Sequence, residues 1–497
     1  MAALERARTS ESHPLIIAEV RAGVGLGRVG LTFCPGKKQP GAMTGAWDRD
    51  LDIDLAAIAR WRAVLVVTLV EDHELASLQV TGIGAAAARE QMAWLHLPIR
   101  DVSVPGAAFE AAWMSAGQRI RDRLACGFDV LVHCKGGLGR AGLVAARILV
   151  DADWTPADAL AAVRQARPGA VETAAQEAYV LGLTRLPAAV PSTTREALLD
   201  RSIGALLGLA AGDAVGTTLE FSRRDSKPAL TDMVGGGPFS LKPGEWTDDT
   251  AMALALADSL VADASLDAAN LMRRFVDWHR TGSYSCTGCC FDIGITTRQA
   301  LARFERDGEP YAGSTDPMRA GNGSLMRLAP AAVRHWRDRG VLADVAARQS
   351  RTTHAAPQAI EACVGYAALL ADAIGGKPKA EVLVGSEIAA SCTDRGIASI
   401  LAGSWRGKSR QEIASSGYVA HSLEAALWCV GHTSEFASAV LLAANLGDDA
   451  DTTAAITGQL AGALYGASGI PAGWLDKLAW RDRLTDVARR LAAEALA

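Results

Sequence analysis

The chain has 497 residues, of which 49% are hydrophobic and 21% charged, with a net charge of −5 and a pI near 6.0. That length exceeds one ordinary core and predicts two or three domains. The charge offers no basic surplus for a nucleic-acid backbone, so no nucleic-acid partner is expected. Met1 to Pro14 is polar and unlike a signal peptide. No apolar run reads as membrane-length, Val64–Val70 being only strand-sized, and no membrane partner is expected. Nine cysteines, odd in number and irregularly spaced, do not read as a disulfide framework, and a reducing cytoplasm is the expected location.

In chain order, residues 1–29 read as an N-terminal extension, and residues 30–186 alternate strand and helix signals. Val64–Leu69 is β-branched and continuous, as a buried parallel strand should be. Strands are also predicted over 94–99 and 128–133, with helices over 74–93 and 106–125, which is an α/β pattern. Two prolines and three hydroxyl residues make 187–196 a linker. From 197 to 497 the expectation is all-α, with helices over 195–212, 249–262, 267–280, 293–306, 341–349, 357–373, 379–390, 421–430, 434–446, 452–466 and 482–496. Small Ala and Gly residues dominate these segments and permit close helix packing.

The string His133-Cys134-Lys135-Gly136-Gly137-Leu138-Gly139-Arg140 follows a predicted strand and opens a predicted helix. A glycine-rich loop there lets successive N–H groups form an anion cradle. Arg140 can close over the anion through paired hydrogen bonds. The cradle and the helix N-terminus favour a Cys134 thiolate, a nucleophile at neutral pH. Asp101, on a loop after a strand, is the candidate general acid.

Two acidic strings lie farther on, Trp246-Thr247-Asp248-Asp249-Thr250 and Gly447-Asp448-Asp449-Ala450-Asp451-Thr452-Thr453. Crowded carboxylates repel unless a cation neutralises them or a proton is shared. Hard oxygen ligands suit Mg²⁺, Mn²⁺ or Ca²⁺. Helix capping by first-turn acids is the plainer explanation of each string alone. Their shared chemistry inside apolar segments favours a metal site built from two distant helix ends. Glu220 follows a glycine-rich helix end, and Asp292 is expected to begin a helix. Gly321-Asn322-Gly323-Ser324 reads as a loop before a helix suited to a pyrophosphate, and His354 follows Arg351-Thr352-Thr353. Cys286, Cys289 and Cys290 lack a second pair at finger-like spacing and read as packed or loop thiols, not a zinc site.

On the Cys134 loop, residues 30–185 resemble the dual-specificity cysteine phosphatases, the kinase-associated phosphatase group above all. That resemblance implies phosphomonoester hydrolysis through a phosphocysteine, with Cys134 as nucleophile, Arg140 and the loop Lys135 to Gly139 binding phosphate, and Asp101 as acid. The family usually places Ser or Thr after the arginine; here Ala141 follows, which predicts slow turnover of the intermediate.

On the strings around Glu220, Asp248, Asn322 and Asp449, residues 197–490 resemble the ADP-ribosylglycohydrolases, of which the dinitrogenase-reductase-activating enzymes are typical. This implies an all-α fold with two Mg²⁺ (or Mn²⁺) ions among Thr247, Asp248, Asp249, Asp449, Asp451 and Thr452. It also implies metals on the distal ribose, Glu220 and Asp292 as acid/base groups, and Gly321 to Ser324 with His354 against the substrate. The family commonly carries Asn where this chain has Ile295.

The expectation is therefore a bifunctional hydrolase whose substrates are an ADP-ribosylated protein or ADP-ribose-containing small molecule and a phosphorylated compound. The alternative is a reader of ADP-ribose and phosphate, weak or inactive at one or both sites.

Overall fold

The computed structural model describes residues 7–42, 45–383 and 386–496. Residues 1–6 of the expected extension and 384–385 within the expected helix 379–390 lie outside the described residues. The chain divides into two compact units, Met1–Ala189 and Val190–Ala497.

The first unit is built on seven strands: β1 (Ala18–Arg21), β2 (Arg28–Phe33), β3 (Lys38–Gln39), β4 (Trp47–Asp48), β5 (Ala63–Thr68), β6 (Ala93–His96) and β7 (Asp129–Cys134). Five of them form one sheet in the order β1-β2-β7-β5-β6. Strands β2, β7, β5 and β6 run parallel, and β1 adds an antiparallel edge. β5 and β7 are buried at every position, which is why both read as unbroken apolar runs in the sequence. β1 and the first two residues of β2 fall within the stretch set apart as an extension, so the sheet begins earlier than expected. The expected helix 74–93 is two short helices, Asp72–Ser77 and Ile83–Arg89, separated at Gln79, whose φ of 58° ends the first turn sequence.

The second unit is helical throughout its named elements. Its core is the pair Arg195–Gly216 and Ala450–Tyr465. Gly204, Gly208, Gly212 and Gly216 recur every fourth residue and therefore line one face of the first helix. A Cβ at these positions would lie 2.2–2.4 Å from the carbonyl oxygens of Gly462, Gly458, Ala454 and Ala450, respectively. The two backbones meet without side chains between them, a distance only glycine allows. Asp213 and Asp451 are thereby brought within reach of each other.

Two sequence expectations need correction here. The helix expected to end at residue 212 continues through Gly216, because its glycines face a partner helix and do not break the chain. The segment Arg195–Leu219 is also long and apolar enough to cross a membrane by length and composition, although 94% of its most apolar 18-residue window is buried. It is a core helix whose hydrophobicity was missed because its glycines and polar residues interrupt the run.

Candidate active sites

In the first unit, Cys134 ends the central strand β7 and the helix Gly139–Asp151 begins five residues later. This puts the thiol at the carboxyl edge of a parallel sheet, where α/β folds bind ligands. The Gly137 N–H donates to Cys134 Sγ at 3.2 Å. Gly137 is required twice over: its φ is 73°, and a Cβ there would meet the backbone of Thr32 and Phe33 at 2.5 Å. Arg140 is buried at 2% exposure, donates through both terminal nitrogens to Glu74, and bonds the Ile99 carbonyl at 2.9 Å. Burial opposes its charge most, but the Glu74 hydrogen bonds together with the charges of Cys134, Glu74 and Asp101 raise its pKa. Arg140 Nε is buried with no hydrogen-bond partner, a donor that an oxyanion in the loop would satisfy. Asp101, half exposed, pairs with Arg140 at 3.0 Å. The structure thus gathers Cys134, Arg140 and Asp101. It adds Glu74, which the sequence did not single out because its partner lies 66 residues away. His133, behind the thiol, bonds Thr68 Oγ1 at 2.7 Å, and burial drives its pKa down to about 3, so it stays neutral.

In the second unit the two acidic strings meet. Thr247 Oγ1 lies 3.3 Å from Asp451 Oδ2, and Thr452 Oγ1 lies 3.4 Å from Asp249 Oδ2. Neither Thr247 nor Asp449 caps its own helix through its side chain. The caps come from elsewhere. Asp213 accepts from the N–H groups of Thr247 and Thr250, at 2.9 and 3.0 Å, and from both hydroxyls. Glu220 Oε2 accepts from the N–H groups of Ala450 and Asp451, at 2.7 and 3.2 Å. The string carboxylates are thus spared the capping of these two helix starts.

Among the described residues, two groups of carboxylates could hold cations: Asp213, Asp249 and Asp451, and Glu220, Asp449 and Asp451, each with oxygens within 4.8 Å of one another. Asp451 belongs to both. Burial is the chief cause raising the pKa of Asp213 and Asp449 to about 7, with the Asp451 charge adding to it. Asp248 and Asp249 are raised well above their ordinary value, again by burial first and then by neighbouring acids. Asp249 Oδ1 is buried without a hydrogen-bond partner. Unpaired buried carboxylates call for a cation or a proton, so the donor set fits divalent ions.

The second of these groups, Glu220, Asp449 and Asp451, lines a cavity of about 940 Å³ together with Asp248, Asp292 and Thr452, and Asp451 joins it to the first. Glu220 is pushed up to about 12 and Asp292 to about 11, by burial and then by Asp451. Asp292 does not begin a helix as expected. The helix starts at Ile295, and Asp292 precedes it with a φ of 59°, a strained position for a non-glycine residue. Gly321, Asn322, Gly323 and His354 line the cavity. His354 is held neutral by burial, with a pKa near 3. Ser324 does not line it. It is fully buried against Ser350 at 2.8 Å, because the next helix starts only at Ala329 and the chain first turns inward. Asn322 braces Asp449 directly, its Nδ2 donating at 2.6 Å. Asp213 is the residue the sequence reading passed over. A lone acid in a long apolar helix was its available signal, since unpaired acids are rarely buried. Cys286 bonds the Trp246 backbone through its thiol at 3.4 Å, Cys290 is half-buried and Cys289 exposed.

A family model described as ADP-ribosylglycohydrolase matches residues 194–497, and one described as a Swiss Army Knife protein DSP-PTPase phosphatase domain matches residues 39–180. The chain is 49% identical over 298 residues to ADP-ribosylarginine hydrolase Tri1 of Pseudomonas putida (strain GB-1), covering 60% of this chain and 79% of that protein. It is 35% identical to ADP-ribosyl-[dinitrogen reductase] glycohydrolase of Rhodospirillum rubrum, over 56% of this chain and 90% of that one. A solved structure described as an ADP-ribosylglycohydrolase-related protein complex is 39% identical, with a TM-score of 0.54, over 60% of this chain and 98% of that chain.

Proposed function

Because residues 194–497 make this chain a member of the ADP-ribosylglycohydrolase family, we propose that this hydrolase removes ADP-ribose from arginine side chains and hydrolyses phosphomonoesters at a second, thiolate site. The observation that carries the first activity is the pair of carboxylate groups that share Asp451, a residue at the wall of the cavity. Similarity to an ADP-ribosylarginine hydrolase favours arginine over other linkages.

Asp213, Asp249 and Asp451, and Glu220, Asp449 and Asp451, would hold two Mg²⁺ ions, with Thr247, Asp248 and Thr452 completing the set. Bound there, Mg²⁺ supplies positive charge that neutralises the acids and orients the ribose hydroxyls. The chain's own groups do the proton work. Glu220 and Asp292 keep their protons at neutral pH in the metal-free arrangement. Asp292 is the freer of the two, since Glu220 Oε2 is tied to two backbone N–H groups. Asp292 gives its proton to the departing nitrogen as the C1″–N bond breaks. Water then adds to the oxocarbenium-like carbon and returns a proton to the carboxylate. Asn322 keeps Asp449 oriented throughout.

At the first site, Cys134 attacks phosphorus, the ester oxygen leaves with a proton from Asp101, and water releases phosphate from the phosphocysteine. Asp101 must first give up its ion pair with Arg140 to the incoming phosphate. The reducing cytoplasm expected from the sequence would keep this thiol available.

A second interpretation, a reader without turnover, draws on Ala141, fully buried where a hydroxyl is usual, and on Ile295, exposed at the cavity wall. Free ADP-ribose and free phosphate released with Mg²⁺ present separate the two, with Asp451→Ala and Cys134→Ser as controls. Release of each product, lost in the matching control alone, supports two enzymes; tight binding with no release supports the reader.

A further inference from the structure

A cradle of N–H groups requires its carbonyls to be held outward, and three carbonyls of the phosphate loop have donors behind them. Gly137 O accepts from Arg167 Nε at 3.3 Å, and Leu138 O from Gly142 N at 2.8 Å. Lys135 follows the nucleophile directly. Its carbonyl accepts from Cys34 N at 3.5 Å and from Lys37 Nζ at 3.3 Å. Lys37 comes from the loop after β2, which pairs with β7 so that Phe33 lies opposite Cys134.

Lys37 is an unusual residue to find there. It is 5% exposed, and no carboxylate pairs with it among the described residues. Its ammonium lies 4.8 Å from the ring centres of both Phe33 and Trp47. The neighbouring cation Arg49 has its own partner, Asp54, at 2.7 Å. A buried ammonium without a counter-charge is costly. Burial lowers its pKa to about 8, Cys34 and Cys134 push it back up, and Arg49 and Lys135 oppose them. What such a charge faces is the loop that binds a dianion.

We propose that Lys37 is a positioning residue for the thiolate site, turning the Lys135 carbonyl away from Cys134 and adding positive potential behind the phosphate loop. The proposal rests on the phosphatase assignment. A fixed cation in a low-dielectric wall attracts an oxyanion more strongly than an exposed one does.

The test uses the full chain with tungstate as the oxyanion probe and an aryl phosphate as substrate. Lys37→Met is expected to weaken tungstate binding about tenfold, the loss of one hydrogen bond to a charged group. The kcat/KM for the aryl phosphate should fall in parallel, while ADP-ribose release by the second unit stays unchanged. Lys37→Arg, which keeps the charge, should recover most of both. Wild-type chain that binds tungstate no better than Lys37→Met, or Lys37→Arg as impaired as Lys37→Met, overturns the role of Lys37 alone. Wild-type chain that neither binds tungstate nor cleaves the ester overturns the phosphatase assignment and this role with it.

Discussion

The backbone N–H and the hydroxyl of Thr247 both donate to one carboxylate oxygen of Asp213, at 2.9 Å each. One acid from the core helix thus fixes the start of the helix that carries Asp248 and Asp249, and belongs to a metal-competent group with Asp249 and Asp451. Replacing it strips four donors of their acceptor. Asp213→Ala should lower stability by about 2–4 kcal/mol and weaken divalent-ion affinity about 10- to 100-fold, as loss of a supporting ligand does. Thermal unfolding and calorimetric Mg²⁺ titration measure both. Unchanged Mg²⁺ affinity would remove Asp213 from the site.

Metal-free protein should show an inverted pH response. The Asp213 and Asp449 carboxyls titrate near 7 in the folded chain because burial and Asp451 disfavour their charge. In the unfolded chain they return to about 4. Between those values the folded state holds more protons, so its stability falls as pH rises. With chelator present, the melting temperature of the second unit should drop from pH 5 to pH 8. Mg²⁺ should flatten that slope, and its binding should release protons. A melting temperature that rises with pH in chelator would contradict the assignment.

The glycine ladder predicts a remote effect on the same site. A Cβ on Gly212 would lie 2.2 Å from the Ala454 carbonyl oxygen. Gly212→Ala should cost about 1–3 kcal/mol by overpacking and weaken Mg²⁺ binding by parting Asp213 from Asp451. Equal Mg²⁺ affinity in this variant would show that the metal groups do not depend on the helix contact.

At the thiolate site, Ala141 predicts that phosphocysteine breakdown limits turnover. Rapid-quench measurements should show a burst of alcohol product close to one per enzyme, then slow phosphate release. Ala141→Ser should shorten the slow phase. Glu74→Gln, which frees Arg140 from a bidentate partner, should reduce kcat/KM about 100-fold through misplacement of the guanidinium. A linear time course without a burst would put the slow step before the intermediate.

What was legible in the sequence follows how local each signal is. Cys134, its glycines and Arg140 are contiguous, so strand, loop and helix could be read together. The helices of the second unit could be read from apolar periodicity. Contacts between distant positions could not: Glu74 reaches Arg140 from a short helix with no chemical signature, and Asp213 reaches Thr247 across 34 residues. The acidic strings pointed to cations, but not to the two helices whose missing side chains bring them together. Ser324 read as a ligand-facing loop residue because the few residues of inward-turning chain before Ala329 leave no mark in composition.

The central claim is that residues 194–497 form a metal-dependent hydrolase of arginine-linked ADP-ribose. It is tested most directly by free ADP-ribose released by the full chain from arginine-linked and serine-linked test proteins, each with Mg²⁺ and with EDTA. Release from the arginine-linked protein is expected with Mg²⁺, with loss in EDTA and recovery on adding Mg²⁺ back. Release that persists undiminished in EDTA, or that occurs from the serine-linked protein alone, would contradict it.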